Sequence, residues 1–304
     1  MSLRKTKKQA QPESKIYIGS KVFDVFLILF MLILSVIFLY PFLNVVATSL
    51  SSNPMITTGQ VTFFPRELMV DGYKMLFKEQ NILGAYWNTI VIAVGTMVIS
   101  LSLTSLMAYV MMVPDFVLRK QLSVFLLITM FFSGGTVPTY LLIQNLGLYN
   151  SWWSLILPNA VTAYNVFVYR SFYKGISPEI REAARIDGAG DLKILTKIYV
   201  PLSKALYATF GLFSVVGVWN SYYEALLYIK DPGKQPIQML LRKIVFTSGT
   251  ANMADSQQMI SNGAMNQLNV QYACVIATIG PILLVYPFIQ KYFAQGMQVG
   301  AVKG

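Results

Sequence analysis

Residues 182–190, EAARIDGAG, bring two carboxylates, one guanidinium, three alanines and two glycines together in a chain of which only 12% of the residues are charged. Ser177 and Pro178 predict a helix start just before this segment, because a hydroxyl can cap a free N–H and proline at the first helical position loses no hydrogen bond. Gly188 predicts the end of the helix, in a left-handed conformation. The segment is therefore expected to be a short polar helix.

One face of this helix is slim enough to bind another protein. Ile180, Ala183, Ala184 and Asp187 recur at i, i+3, i+4 and i+7 and are expected to share that face, while two arginines share another. Two alanines beside an isoleucine are small enough to enter a groove on another protein, where larger side chains would hold the two backbones apart. We interpret the segment as a docking helix. The alternative is an amphipathic helix lying on a membrane, which would favour larger apolar residues than alanine.

The side chains that most enzymes use in catalysis are scarce in this sequence. The chain has no histidine and a single cysteine, Cys274, which excludes Cys/His metal sites and most catalytic triads. It contains no Gly-x-x-x-x-Gly-Lys-Ser/Thr loop, so any ATP must be hydrolysed by a separate chain. We predict that this chain is not an enzyme and holds no catalytic residue, no metal and no cofactor.

The elements that position the docking helix are expected to cross a membrane. With 55% hydrophobic residues and a mean hydropathy of +0.54, the chain lies outside the range of water-soluble domains. Its long charge-free windows predict an all-α membrane protein with six transmembrane helices. Because a crossing needs about 20 apolar residues, the expected spans are about 23–48, 86–112, 121–144, 151–172, 204–227 and 270–293.

The distribution of lysine and arginine predicts the orientation. Most of the 24 basic residues fall on one side of the six spans, and the positive-inside rule then places both termini and a loop at 175–202 in the cytoplasm. Residues 1–20 are predicted to be a cytoplasmic tail, and residues 21–304 a transmembrane domain. The net charge of +11 is better explained by this topology and by anionic membrane lipid than by nucleic acid, because no stacking or groove-reading module is present.

The longer segment EAARIDGAGDLKILTKIYVP, residues 182–201, resembles the EAA signature of binding-protein-dependent ABC importer permeases. The signature is Glu-Ala-Ala, three residues, Gly, nine residues, then Ile-x-Leu-Pro. Val200 replaces the usual leucine. The matching residues are Glu182, Ala183, Ala184, Gly188, Ile198 and Pro201.

Further stretches resemble the carbohydrate-uptake branch of these permeases, in particular the second permease of maltose-type transporters and its relatives for complex oligosaccharides. These stretches are YWNTIVIAVGTM, FFSGGTVPTYLLIQNLGLYNSWWSLILPNAV, VGVWNSYYEALLY and the terminal GAVKG. The resemblance as a whole covers about residues 20–304.

The resemblance implies a type I ABC importer permease with a cytoplasmic coupling helix between helices four and five. Glu182, Ala183, Ala184 and Gly188 would contact a cytoplasmic ATPase, while Ile198 and Pro201 would hold the second short helix against the fifth span. The implied partners are a second, different permease, two copies of an ATPase that binds ATP and Mg, and an extracytoplasmic solute-binding protein. The implied location is the plasma membrane of a prokaryote. Residues 300–304 would reach toward the ATPase or form a structural C-terminal stub.

Several residues within the spans are candidates for lining a substrate path. Gly134 and Gly135 weaken the third helix near mid-membrane, where freed backbone groups need protein or a wet cavity; a close helix crossing is an equal alternative. In the fifth helix, aromatic, amide and carboxylate groups could hold a sugar, or could form an interfacial aromatic belt. These residues are Trp219, Asn220, Tyr223 and Glu224.

Asn88 and Tyr164 are two further polar candidates in other spans, where helix-to-helix hydrogen bonding is the alternative role. The sequence as a whole predicts a permease subunit of an ATP-driven importer for carbohydrates, with oligosaccharides preferred. An ABC permease for a polyamine, ion or peptide is the nearest alternative. An ion-coupled secondary carrier is disfavoured, because it would be expected to bury an acid or a cation site in its spans.

Overall fold

The computed structural model describes residues 18–79, 81–249 and 268–301, and all the regular structure in these ranges is helical. In chain order the helices are α1 (Ile18–Ser49), α2 (Asn53–Thr57), α3 (Asp71–Glu79), α4 (Ile82–Met112), α5 (Arg119–Phe131), α6 (Thr136–Asn145), α7 (Trp153–Ile156), α8 (Ala163–Lys174), α9 (Pro178–Ile186), α10 (Asp191–Ile194), α11 (Val200–Leu202), α12 (Lys204–Asn220), α13 (Tyr223–Tyr228), α14 (Ile237–Gly249) and α15 (Leu268–Ala301). A π-helical turn at Leu195–Tyr199 joins α10 to α11, and a 3-10 turn lies at Pro232–Lys234. Most of the predicted tail at 1–20 and the last three residues of 300–304 lie outside the described ranges.

Within the described ranges, two helices are long and apolar enough to cross a membrane alone: Phe23–Ser49 of α1 and the whole of α4. The number rises to four if two bent pairs each count as one span. These pairs are α5 with α6, bent by 118°, and residues 191–202 with α12, bent by 85°. Continuous helices therefore occupy the predicted first, second and sixth spans, in α1, α4 and α15.

The third predicted span, 121–144, is wrong as a single helix. It ends at Phe131 and resumes at Thr136. Between them Gly135 has a φ of +85°, a left-handed conformation that glycine adopts without the steric cost of a side chain. The two glycines and the nearby proline predicted a helix that is weakened locally. The structure shows instead a complete break, at which the chain changes direction sharply.

The fourth and fifth predicted spans are also interrupted. The segment 151–172 contains only α7 and the greater part of α8, separated by residues 157–162. The segment 204–227 stops at Asn220 and continues as α13. Breaks of this kind leave backbone groups without helical partners, and a membrane protein tolerates them where they face protein or a wet cavity.

Helix α4 is the centre of the packing, because α12, α8, α14 and α7 all lie against it. Gly211 of α12 is buried where α12 packs against α4. A Cβ atom there would lie 3.5 Å from the side chains of Met97 and Leu101 of α4. Small residues allow this kind of close backbone approach between membrane helices.

A large apolar surface is left uncovered by the chain itself. None of the most apolar window of α1 is buried, and α5 ends in Phe131, which is 76% exposed. Exposed apolar area on this scale is not typical of a water-soluble monomer. The surface is suited to lipid or to another membrane subunit.

Candidate functional site

Helix α9 has the ends that its sequence predicts, with one difference. Pro178 occupies its first position, and Gly188 follows its end with a φ of +76°. The Ala189 N–H donates to the Ala184 carbonyl at 2.9 Å and the Gly188 N–H to the Arg185 carbonyl at 3.0 Å, the pattern of a Schellman motif. The predicted cap by the Ser177 hydroxyl is wrong, because that side chain makes no capping hydrogen bond.

The outward face of α9 differs in part from the one expected. Glu182 and Ala183 are exposed, as is Gly188 just beyond the helix. Ala184, however, is half-buried and packs against the body of the protein, because it lies on the same side as the buried Arg181. The sequence interpretation missed Ile186, which is 87% exposed. A lone isoleucine between arginine and aspartate was the signal that could have identified it.

The α9 helix is held to the bundle through the carboxylate of Asp191, at the start of α10. The Tyr109 hydroxyl of α4 donates a hydrogen bond to this carboxylate at 2.8 Å. Arg181, only 8% exposed, approaches both groups at 3.4 Å. Arg185 lies 3.8 Å from Asp191 and 3.6 Å from Asp115. One carboxylate thus joins α9, α10 and the end of α4.

The attachment depends on pH through Asp191. The hydrogen bond from Tyr109 and then the charges of Arg185 and Arg181 lower the pKa of the Asp191 carboxyl below its usual 3.8. A carboxyl with a lowered pKa contributes its full stabilisation above its usual pKa and loses it as the pH falls toward the lowered value. We expect Asp191→Asn, which removes the charge, to reproduce the acid state at neutral pH.

The expected result for Asp191→Asn is faster tryptic cleavage after Arg185 in the purified protein at pH 7, because the loop is less firmly held. Asp187→Asn, which neutralises an exposed carboxylate in the same loop, is the matched control. Equal cleavage rates in the two variants would contradict the role given to Asp191.

The second half of the loop enters the core. Ile198 is half-buried against the buried cluster that contains Tyr173 and Tyr199, while Pro201 is exposed. The backbone forms its π-helical turn immediately before Pro201, which has no N–H to donate. This arrangement ties the loop directly to α8 and α12.

A cluster of tyrosines joins this loop to the bundle. The Tyr173 hydroxyl is hydrogen-bonded to the Ser105 hydroxyl at 2.8 Å and to the Tyr207 hydroxyl at 2.7 Å. The Ser105 and Tyr207 hydroxyls are also hydrogen-bonded to each other. Tyr199 packs edge-on against Tyr173, with ring centroids 5.2 Å apart, and against Tyr109 at 5.3 Å. Such edge-to-face pairs add to the stabilisation from buried area.

Loss of the hydroxyl is expected to change the free energy of unfolding differently at Tyr173 and at Tyr169. In Tyr173→Phe two hydrogen bonds disappear, and the free energy of unfolding should fall by about 1 kcal/mol. The Tyr169 hydroxyl is buried without a hydrogen-bond partner among the described residues, so Tyr169→Phe should leave stability unchanged or increased. Thermal denaturation of the purified protein measures both. A greater loss in Tyr169→Phe than in Tyr173→Phe would contradict this account.

A cavity of about 300 Å³ lies between α4, the 157–162 break, α8 and α12. It is about half-way along α4, and the interruption of the fourth predicted span forms part of its wall. Phe210 and Phe213 supply apolar ring faces. Most of the other lining residues carry hydroxyl, amide or carboxylate groups: Thr96, Ser100, Asn159, Thr162, Asn165, Ser214, Ser221 and Glu224.

The wall of the cavity has unused hydrogen-bonding capacity. Thr96 is 2% exposed, and its hydroxyl has no hydrogen-bond partner within the described part of the chain. Leaving a buried hydroxyl unsatisfied costs about 1–3 kcal/mol. The Ser221 hydroxyl donates to the Glu224 carboxylate. The volume lies at the lower end of the range for small-molecule pockets, about 300–1,000 Å³.

Rings connect the tyrosine cluster to this cavity. Tyr169 packs edge-on against Tyr173, and on its other side against Phe210, at centroid distances of 6.1 and 5.2 Å. Phe210 in turn contacts Phe213 at 5.9 Å. A continuous set of packed side chains therefore extends from the loop to the cavity wall.

The candidate path residues have different positions, and only Glu224 lines the cavity. Trp219 is buried and its indole donates to the Thr278 carbonyl at 3.0 Å. Asn88 is buried and donates to the Gly233 and Gln235 carbonyls at 2.8 and 3.0 Å. Trp219 thus joins α12 to α15, and Asn88 joins α4 to the segment around the 3-10 turn.

The other five candidates are exposed away from the cavity. Asn220 donates to the Val216 carbonyl of its own helix at 2.9 Å. Tyr223 and Tyr164 are 49% and 57% exposed. Gly134 and Gly135 lie at the break between α5 and α6, with Gly135 in open space. Their outward positions leave them available to a second subunit.

Sequence reasoning missed most of the cavity, although a signal was present. Thr96 and Ser100 are four residues apart on α4, and Ser214, Gly217 and Ser221 are spaced by three and four residues at α12. Small polar residues at helical spacing inside an apolar span indicate a polar stripe on one face. Two such stripes facing each other form this cavity.

The described structure is all-helical, and its apolar helices surround a polar cavity, an arrangement suited to a membrane transport component. Residues 98–299 match the family described as binding-protein-dependent transport system inner membrane component. The chain belongs to this family.

Similar proteins have been characterised in Bacillus subtilis (strain 168). The polygalacturonan/rhamnogalacturonan transport system permease protein YtcP is 37% identical over 285 residues, covering 94% of this chain and 99% of that protein. Protein LplC is also 37% identical, over 287 residues, covering 94% and 96%. The maltodextrin transport system permease protein MdxG is 29% identical, covering 91% and 95%.

Solved structures share the fold. A chain of a bacterial ABC transporter involved in the import of the acidic polysaccharide alginate matches with a TM-score of 0.84 and 29% identity, covering 92% of this chain and 100% of that one. A chain of the bacterial alginate ABC transporter in complex with alginate pentasaccharide-bound periplasmic protein matches with a TM-score of 0.54 and 15% identity, covering 90% and 95%. The second likeness concerns the fold alone.

Proposed function

We propose that this chain is the transmembrane permease subunit of an ATP-driven ABC importer for carbohydrates, with oligosaccharides as the preferred class. The observation that carries the proposal is the polar cavity between α4, α8 and α12. Family membership supports the permease role, and relatives named for polygalacturonan, rhamnogalacturonan and maltodextrin support the substrate class.

The chemistry of the cavity suits a sugar. The Ser100 hydroxyl and the Asn165 amide can exchange hydrogen bonds with sugar hydroxyls, and the rings of Phe210 and Phe213 offer apolar faces to sugar C–H groups. Ligand sites generally combine apolar walls with a few polar groups that fix orientation. In the importer this cavity forms one side of the translocation path.

In this proposal, α9 couples transport to ATP hydrolysis. Its exposed Glu182, Ala183 and Ile186 dock on a separate cytoplasmic ATPase, which binds ATP and Mg. Gly188 ends the docking helix and sets the direction of the chain that follows. Ala184, Ile198 and Pro201 hold the loop on the permease side. Movement of α9 reaches the cavity through the Asp191 attachment and the packed tyrosines.

The remaining partners follow from the uncovered surfaces. The exposed apolar faces of α1, α5 and α6 are assigned to membrane lipid and to a second, different permease subunit. An extracytoplasmic solute-binding protein delivers the sugar at the opposite end from α9, and two ATPase copies complete the complex. The chain passes six times through the plasma membrane of a prokaryote, with both termini cytoplasmic, and the broken helices contribute to three of these passes.

The test is uptake in cells that carry this gene. Deleting the gene should abolish the uptake of at least one labelled oligosaccharide, and restoring it should recover that uptake. Growth on the corresponding monosaccharide, supplied as a control, should not change. Unchanged uptake of gluco-, galacto-, manno-, arabino- and galacturono-oligosaccharides after deletion would contradict the proposed substrate class.

A further inference from the structure

The charge of the cavity wall bears on which sugars can enter it. Among the described residues that line the cavity, Glu224 is the only ionisable one, and none is lysine or arginine. Histidine is absent from the whole chain. The Glu224 carboxylate receives a hydrogen bond from the Ser221 hydroxyl, and Ser221 carries no charge.

We propose that this cavity accepts an uncharged sugar unit and rejects a uronate, with Glu224 as the residue that determines this specificity. The proposal rests on the carbohydrate function proposed above and assigns a substrate class to the same site. Similar proteins are named for acidic polymers, alginate and polygalacturonan, and for the uncharged maltodextrin, so the fold does not fix the charge of the substrate. In this chain the cavity wall sets it.

The physical reason is electrostatic. Like charges a few ångströms apart repel each other, and the repulsion is stronger beside a protein wall than in bulk water. A repulsion of this kind changes affinity by about tenfold or more. A neutral sugar avoids the penalty, and its hydroxyls can donate to the Glu224 carboxylate.

Thiol modification measures the field in the cavity directly. In a Cys274→Ala background, Ser214→Cys places one thiol on the cavity wall of the full transporter complex. The rate of modification of this thiol is measured with two methanethiosulfonate reagents, one with a cationic trimethylammonium group and one with an anionic sulfonate group. Each rate is divided by the rate at which the same reagent modifies free cysteine. We expect the cationic reagent to be favoured by about tenfold.

Glu224→Gln should bring that ratio close to one. Asp71→Asn, which removes an exposed carboxylate paired with Lys74 on α3, is the matched control and should leave the ratio unchanged. A ratio near or below one with Glu224 present would overturn the assignment of a negative field to this site.

Protection by sugars tests the substrate class. Neutral maltotriose, cellotriose or arabinotriose should slow modification of the introduced thiol, and trigalacturonate should do so only after Glu224→Gln. Protection by trigalacturonate with Glu224 present, equal to that by the neutral sugars, would overturn this inference while leaving the carbohydrate function intact. Failure of every sugar to protect, together with unchanged uptake after gene deletion, would overturn the carbohydrate function itself.

Discussion

Gly217→Trp is expected to reduce sugar uptake by about a hundredfold or more, because the new side chain occupies the substrate cavity. Gly217 lines the cavity, and a Cβ atom there would meet nothing within 4 Å. The indole can therefore extend into free space without moving the backbone. Uptake of the labelled oligosaccharide carried by the intact transporter is the measurement.

Gly280→Trp is the matched control for this substitution. Gly280 is also helical, and a Cβ atom there would also meet nothing within 4 Å, but it does not line the cavity. This variant should keep uptake within about threefold of the unmodified protein. Both variants should remain in the membrane and keep their ATPase. Normal uptake by Gly217→Trp would remove the cavity from the transport path.

Ala183→Trp is expected to abolish uptake and to release the ATPase from the purified complex. Ala183 is exposed on α9, so a large side chain there projects outward and separates the two docking surfaces. Loss of fit at the centre of an interface typically weakens binding by about tenfold or more. The ATPase that remains bound after affinity purification is the measurement.

The choice of residue matters for the interpretation of this experiment. Ala184→Trp would also impair uptake, but Ala184 is half-buried against the core, so its effect would combine docking with misfolding. Glu182→Lys gives an independent test of the same surface, and Asp71→Lys on α3 is its control for charge reversal. Retention of the ATPase and normal uptake in both Ala183→Trp and Glu182→Lys would contradict docking through α9.

The docking helix could be predicted from sequence because its determinants are local. Pro178 and Gly188 define its ends through backbone preferences that depend on a few neighbouring residues. The attachment through Asp191 could not be predicted in this way. It depends on Tyr109, which lies 82 residues earlier in the chain, and on the packing of α4 against the loop.

The cavity was less accessible to sequence reasoning for the same physical reason. Its wall combines α4, α12, α8 and the break at 157–162, and hydrophobicity along one segment does not reveal how separate segments face each other. Trp219 illustrates the limit. Its aromatic ring suggested a contact with a sugar, whereas its burial and its hydrogen bond to the Thr278 carbonyl place it in the core. Glu224, by contrast, lines the cavity. It lies beyond the end of α12 at Asn220, in the short helix α13 that follows a break in the chain.

Identifying the proteins that accompany this chain when it is gently extracted from native membranes tests the central claim most directly. The account predicts one different permease and a cytoplasmic ATPase in the purified material, identified by mass spectrometry, in an extraction that keeps known membrane complexes intact. Recovery of this chain with only copies of itself, under the same conditions, would contradict the assignment to an ATP-driven importer and would make α9 a surface helix without a docking role.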